Sequence, residues 1–139
     1  MADLPRGGDR RDLSAAYDRG VPARLRRASL AEVRAARAAV ADGSAGRPEL
    51  KLLVKHYLAV LEEKAPGASV EVRVPPYAAV QCIPGVRHTR GTPPAVVETD
   101  AATFIAVATG ETPWSDAIAS GKVFASGERT DLTRYLPLT

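Results

Sequence analysis

The 139 residues fit one domain with a short appendage, and an apolar share of 45% is enough to enclose a core. No apolar run approaches the ~18 residues of a membrane span, and the polar stretch 1–27 has no signal-peptide core, so a cytoplasmic protein with no integral membrane segment is expected. The net charge of +3 is uneven, with ten arginines against six acids in residues 1–47 and nine basic against ten acidic residues in 48–139; without a basic face interleaved with aromatics, nucleic-acid binding is not expected.

Cys82 is the only cysteine and His56 and His88 are the only histidines. No intramolecular disulfide is possible, and the set is too sparse for a metal site of the usual Cys and His kind. No cofactor is expected. Abundant alanine, with arginine far outnumbering lysine, points to a high-GC bacterial source and lowers the value of the arginines as functional evidence.

Residues 1–26 hold Pro5, Gly7, Gly8, Gly20 and Pro22 among charges and read as a mobile basic leader; residues 27–139 read as the domain proper. Ser29 and Glu32 form an S-x-x-E capping box, Leu30, Val33, Ala36 and Val40 recur on one face, and Gly43 supplies a stop. A second helix starts at Gly46 and Pro48 and carries the stripe Leu50, Val54, Tyr57, Leu58 and Leu61, ending before Pro66-Gly67. The two helices read as an antiparallel pair across a sheet. His56, beside that stripe, reads as a hydrogen-bonded histidine rather than a base.

The period then changes to two. Val70, Val72 and Val74 alternate with Glu71 and Arg73 as a half-buried antiparallel strand, and Pro75-Pro76 breaks it. Tyr77 to Ile83 is a second extended run closed by Pro84-Gly85. Residues 86–94 form a loop, and Ala95 to Glu98 a third strand. Thr99 or Asp100 caps a helix whose buried side is Phe104, Ile105, Val107 and Ala108, stopped by Gly110. Thr112-Pro113 launches a short helix with Trp114, Ala117 and Ile118, and Gly121 stops it. Lys122 to Ala125 is a fourth strand, Ser126-Gly127 turns, and Thr130 with Asp131 caps a last turn through Leu132, Tyr135 and Leu136.

The glycines of this C-terminal half are in register with the capping residues and the apolar faces. Gly110, Gly121-Lys122 and Gly127 frame the short helix and the fourth strand, with the small Ala117 between the first two. From Val97 to Leu136 the pattern resembles the sterol carrier protein family, and the upstream helices and Pro-rich hairpin resemble its compact actinobacterial branch. A related module forms the C-terminal domain of mycothiol-dependent maleylpyruvate isomerase proteins. The metal-binding helical bundle that performs the chemistry in those enzymes has no counterpart in residues 1–65. The resemblance implies an α/β domain of the α+β type, with a mostly antiparallel sheet of four or five strands covered by helices, and an apolar ligand held between the layers.

Small residues on the covering helices, Ala101, Ala102, Ala106, Ala108, Ala117 and Ala119, leave room that larger side chains would fill. Phe104, Val107, Trp114, Ile118 and Phe124 are the candidate apolar walls, set against the alternative that they only pack on one another. Arg87, His88 and Arg90 form the candidate anion site, since two guanidiniums and an imidazole suit a phosphate or carboxylate; the alternative is a solvated loop paired with acids such as Glu98. Cys82, on the Val80 face, reads as a buried thiol unless His88 activates it.

The function expected is non-enzymatic binding or carriage of a lipid, fatty acyl or other apolar small molecule. One alternative is a small enzyme or accessory subunit of thiol or acyl metabolism. Another is a protein-interaction module, and a homodimer is left open as its simplest form.

Overall fold

The computed structural model describes residues 25–85 and 95–139. The basic leader through residue 24 and the loop with Arg87, His88 and Arg90 lie outside the described residues.

Helix α1 spans Leu30–Asp42 and begins as its capping box requires: the Glu32 N–H donates to Ser29 Oγ, and the Ser29 N–H donates to the Glu32 carboxylate. Helix α2 spans Arg47–Lys64 with Pro48 in its first turn, and the Glu49 carboxylate accepts from the Gly46 N–H at 2.7 Å. Helix α3 spans Ala101–Thr109, with Asp100 accepting from both the Thr103 N–H and its hydroxyl. Helices α1 and α3 end on glycines in the left-handed region, Gly43 at φ 82° and Gly110 at φ 87°. Helix α4 is the short Trp114–Ala119.

The strands are β1 (Val70–Val74), β2 (Ala78–Cys82), β3 (Ala95–Thr99) and β4 (Val123–Ser126), in sheet order β2-β1-β3-β4. Two of the three pairings are antiparallel, and β1 runs parallel to β3 with Val70 opposite Ala95. Among the described residues the sheet is therefore four-stranded, mixed and open, in an α+β fold. Parity along each strand sorts the faces. Val70, Val72, Val74, Val80, Cys82, Ala95, Val97 and Val123 are buried on one side, whereas Arg73, Ala79, Gln81, Phe124 and Ser126 are exposed on the other.

Helix α2 carries the largest share of the core, with Leu53, Val54, Leu58 and Leu61 fully buried, and packs on β2 and α3. Helix α1 buries only Val33 and Ala36 and packs chiefly on α2. The expected pair lying across the sheet is thus a stack, because α1 offers too little apolar surface to hold a place on the sheet: Leu30 is 65% exposed and Val40 is also exposed. Within that stack the Tyr57 hydroxyl is buried with no hydrogen-bond partner among the described residues, and burial holds its pKa above the usual phenol value, opposed by the Arg37 guanidinium. The C-terminal segment closes over the other helices. Leu132 and Leu138 are buried, the Leu138 N–H donates to the Ala108 carbonyl, and Lys64 Nζ donates to the Tyr135 and Pro137 carbonyls.

Residues 25–29 are strapped onto α2. The Arg27 guanidinium pairs with Glu63 at 2.8 Å, and the Ala28 N–H donates to His56 Nδ1 at 3.0 Å. That hydrogen bond requires a bare Nδ1. Partial burial, chiefly, and then the neighbouring Arg27 charge hold the His56 pKa below its ordinary value, while Glu63 opposes them. Protonation is therefore favoured in the unfolded chain over the folded one. The stabilisation is complete above the ordinary histidine pKa and is lost as pH falls through the lowered folded value. Urea unfolding at pH 7.5 and pH 5 should show the Ala28–His56 contact weakened on acidification, with about 1 kcal/mol at stake in that hydrogen bond, while the Arg27–Glu63 pair persists because Glu63 is held below its ordinary carboxylate value. The His56→Gln variant should lose that increment of the pH dependence.

Candidate functional site

Alanine has the smallest side chain that still favours a helix, so two helices meeting through alanines leave a recess between them where larger residues would interlock. Helices α3 and α4 do this. Ala102 and Ala106 on α3 and Ala117 on α4 border a cleft of about 310 Å³, completed by Thr103, Thr112, Asp116, Ser120 and Lys122. Residues 116 and 117 of α4 and its C-cap residue 120 share the face turned to the cleft.

The hydroxyls at the cleft are largely committed. Thr103 Oγ1 donates to Asp100 at 3.0 Å and Ser120 Oγ to the Ala117 carbonyl at 2.9 Å. Asp116 and Lys122 make no ion pair with another described residue. The result is a recess of small apolar side chains with one carboxylate and one ammonium at its margin. It can take an apolar body and orient a polar end; its volume is at the low end for ligand pockets.

The five apolar residues singled out from the sequence fall in three places. Phe104, Val107 and Trp114 are buried in the main core at 2%, 2% and 8% exposure. Ile118 lies on the outer side of α4 and is substantially exposed. Phe124 stands on the opposite face of the sheet from the helices, 63% exposed and opposite Glu98 in the β3–β4 register. It does not face the interlayer space, because Val123 takes the inward position and the next residue of a strand must point the other way. Phe124 and Phe104 therefore cannot wall one cavity.

Cys82 is fully buried on the helix-covered face, and burial, reinforced by the Glu62 charge, pushes its thiol up to about 12. A thiol so placed is protonated and sealed at neutral pH. No group of three or more His, Cys, Asp or Glu able to hold a metal occurs among the described residues. No helix among them is long and apolar enough to cross a membrane.

The cleft's polar residues were not foreseen from the sequence. Thr112, Asp116 and Ser120 at spacings of four put one polar group per turn along the α4 approach, which was a readable signal. A second, open recess of about 560 Å³, between α2 and the β1–β2 turn, is lined by Arg47, Pro48, Lys51, Lys55, Pro76 and Tyr77. Its sequence signal is the spacing of four between Arg47, Lys51 and Lys55.

No curated protein matches the chain. The family model described as "Bacterial SCP ortholog", SCP standing for sterol carrier protein, matches residues 46–138. The match begins at the N-cap of α2 and takes in the whole sheet, α3, α4 and the C-terminal segment, leaving α1 outside it. Matched over more than half its length, the chain belongs to this bacterial sterol-carrier-protein-like family.

Proposed function

We propose that the protein is a non-enzymatic, cytoplasmic binder or carrier of an apolar small molecule, and that the ligand enters the cleft between α3 and α4. The observation that carries this reading is the cleft itself: about 310 Å³ bordered by Ala102, Ala106 and Ala117, on the two helices that also bear the buried Phe104 and Trp114. Family membership supports it. The modest volume favours a short acyl chain or a compact apolar body over a large fused-ring system, with Lys122 or Asp116 at the margin to meet a polar end. The thiol-enzyme alternative draws no support from Cys82, whose sealed, protonated sulfur lacks both the access and the ionisation that nucleophilic chemistry needs.

Native mass spectrometry of protein purified without detergent should show a co-purifying small amphiphile that organic extraction releases, and the stripped protein should take up a fluorescent fatty acid. Ala106→Leu fills the cleft. At about 0.8 kcal/mol per buried methylene, displacing two or three ligand carbons should weaken uptake by roughly 2 kcal/mol, tenfold or more, with the thermal midpoint held within a few degrees. Uptake unchanged by Ala106→Leu would move the ligand elsewhere. Stripped protein that binds none of a panel of acyl chains and isoprenoids would end the carrier reading.

A further inference from the structure

Cations four residues apart on a helix lie on one face and repel one another. Arg47, Lys51 and Lys55 follow that spacing along the first half of α2, and all three line the recess that α2 makes with the β1–β2 turn. None of the three forms an ion pair or side-chain hydrogen bond with another described residue. The Gly46 N–H at the start of the helix is already taken by Glu49, so what the recess presents is the three side-chain charges. The rest of the lining is largely apolar: the half-buried Tyr77, with its hydroxyl unpartnered among the described residues, and Pro76 on the β1–β2 turn, with the ring of Pro48 beside the cations on α2.

We infer that this recess binds a small phosphate ester, its dianionic group among Arg47, Lys51 and Lys55 and its organic body against Tyr77 and the two prolines. Three cations exceed what a single carboxylate would neutralise, and they suit a phosphate, with Arg47 able to form two parallel hydrogen bonds to its oxygens. The aromatic and proline walls select for an apolar or aromatic body. The site is concave, and its volume of about 560 Å³ lies within the range of small-molecule pockets. The apolar faces of Tyr77, Pro48 and Pro76 beside the cations favour a ligand with an organic body over a bare anionic surface. The site shares no lining residue with the α3–α4 cleft, so it stands or falls apart from the carrier reading.

The test uses the full chain, titrated by calorimetry and by ¹H–¹⁵N NMR with phenyl phosphate, inorganic phosphate, and vesicles of phosphatidylglycerol or phosphatidylcholine. Phenyl phosphate should bind and shift the resonances of Lys51, Lys55 and Tyr77. The double variant Lys51→Gln with Lys55→Gln should weaken it about tenfold or more, since each lost charged hydrogen bond removes a sizeable factor. Tyr77→Leu should weaken phenyl phosphate and leave inorganic phosphate, the weaker ligand throughout, unaffected. Both variants should keep the parent thermal midpoint, because the substituted groups are exposed or only half-buried. Four results would overturn the inference: no binding of either phosphate, equal affinity for the two, affinity unchanged in the double variant, or binding to phosphatidylglycerol vesicles with none to phenyl phosphate.

Discussion

Gly67→Ala should unfold the protein at a markedly lower temperature than the parent. Gly67 sits at φ 151°, between α2 and β1, in a clasp that joins the end of α2 to the end of β2. The Ile83 N–H donates to the Ala65 carbonyl at 2.6 Å, and the Ile83 carbonyl accepts from both the Ser69 N–H and Ser69 Oγ. A Cβ on residue 67 would meet the Ile83 carbonyl oxygen well inside contact distance and lie 2.8 Å from the Pro84 nitrogen. Both obstacles are backbone and cannot swing aside as a flexible side chain would. Ile83 is itself held at φ 76°, a left-handed conformation that branched residues rarely adopt, so the partner strand has little freedom to retreat. Overpacking together with the unfavourable φ should cost about 3 kcal/mol, or roughly 10 °C in thermal midpoint for a chain of this size. Circular dichroism melting is enough to read it. A midpoint within 2–3 °C of the parent, a margin of about 1 kcal/mol, would mean that the clasp is looser than described.

Phe104→Ala should cost about 3–5 kcal/mol in urea unfolding, the range for removing a fully packed aromatic side chain. Phe104 is 2% exposed and belongs to the main core cluster. Phe124→Ala should change stability by no more than about 0.5 kcal/mol, as an exposed substitution does, and should leave fatty-acid uptake unaltered. The contrast separates packed core from cavity wall. A side chain lining open space has fewer atoms to lose contact with, so a cost below about 1 kcal/mol for Phe104→Ala would show that it borders a void and not a close-packed interior.

The features written locally into the chain were legible. Ser29 with Glu32, Asp100, Gly43 and Gly110 each act through a hydrogen bond or a backbone angle within four residues, so helix ends could be placed before any tertiary contact was known. The alternation Val70, Val72, Val74 likewise marked its buried face correctly. The parallel pairing of β1 with β3 was not legible, because it depends on which side of β1 the third strand joins, and no local pattern encodes that. Phe124 was expected as an apolar wall, whereas strand parity groups it with the polar Lys122 and Ser126 and sends Val123 inward. The α3–α4 cleft was half legible. Its alanines stood out as small residues on covering helices, but its charged margin comes from Asp116 and Lys122, which only the turn at Gly121 brings together.

Cys82 lies in β2, at an edge of the sheet, with its sulfur fully buried. Oxidants and electrophiles reach it during excursions in which that edge opens, so its rate of modification is the reactivity of the opened thiol scaled by the population of that state. Each 1.4 kcal/mol lost from the free energy of opening makes the sulfur accessible about ten times more often. Chemical damage at Cys82 is therefore geared to conformational stability: ligands that tighten the fold protect the cysteine at a distance, and substitutions that loosen the Gly67 clasp expose it to attack.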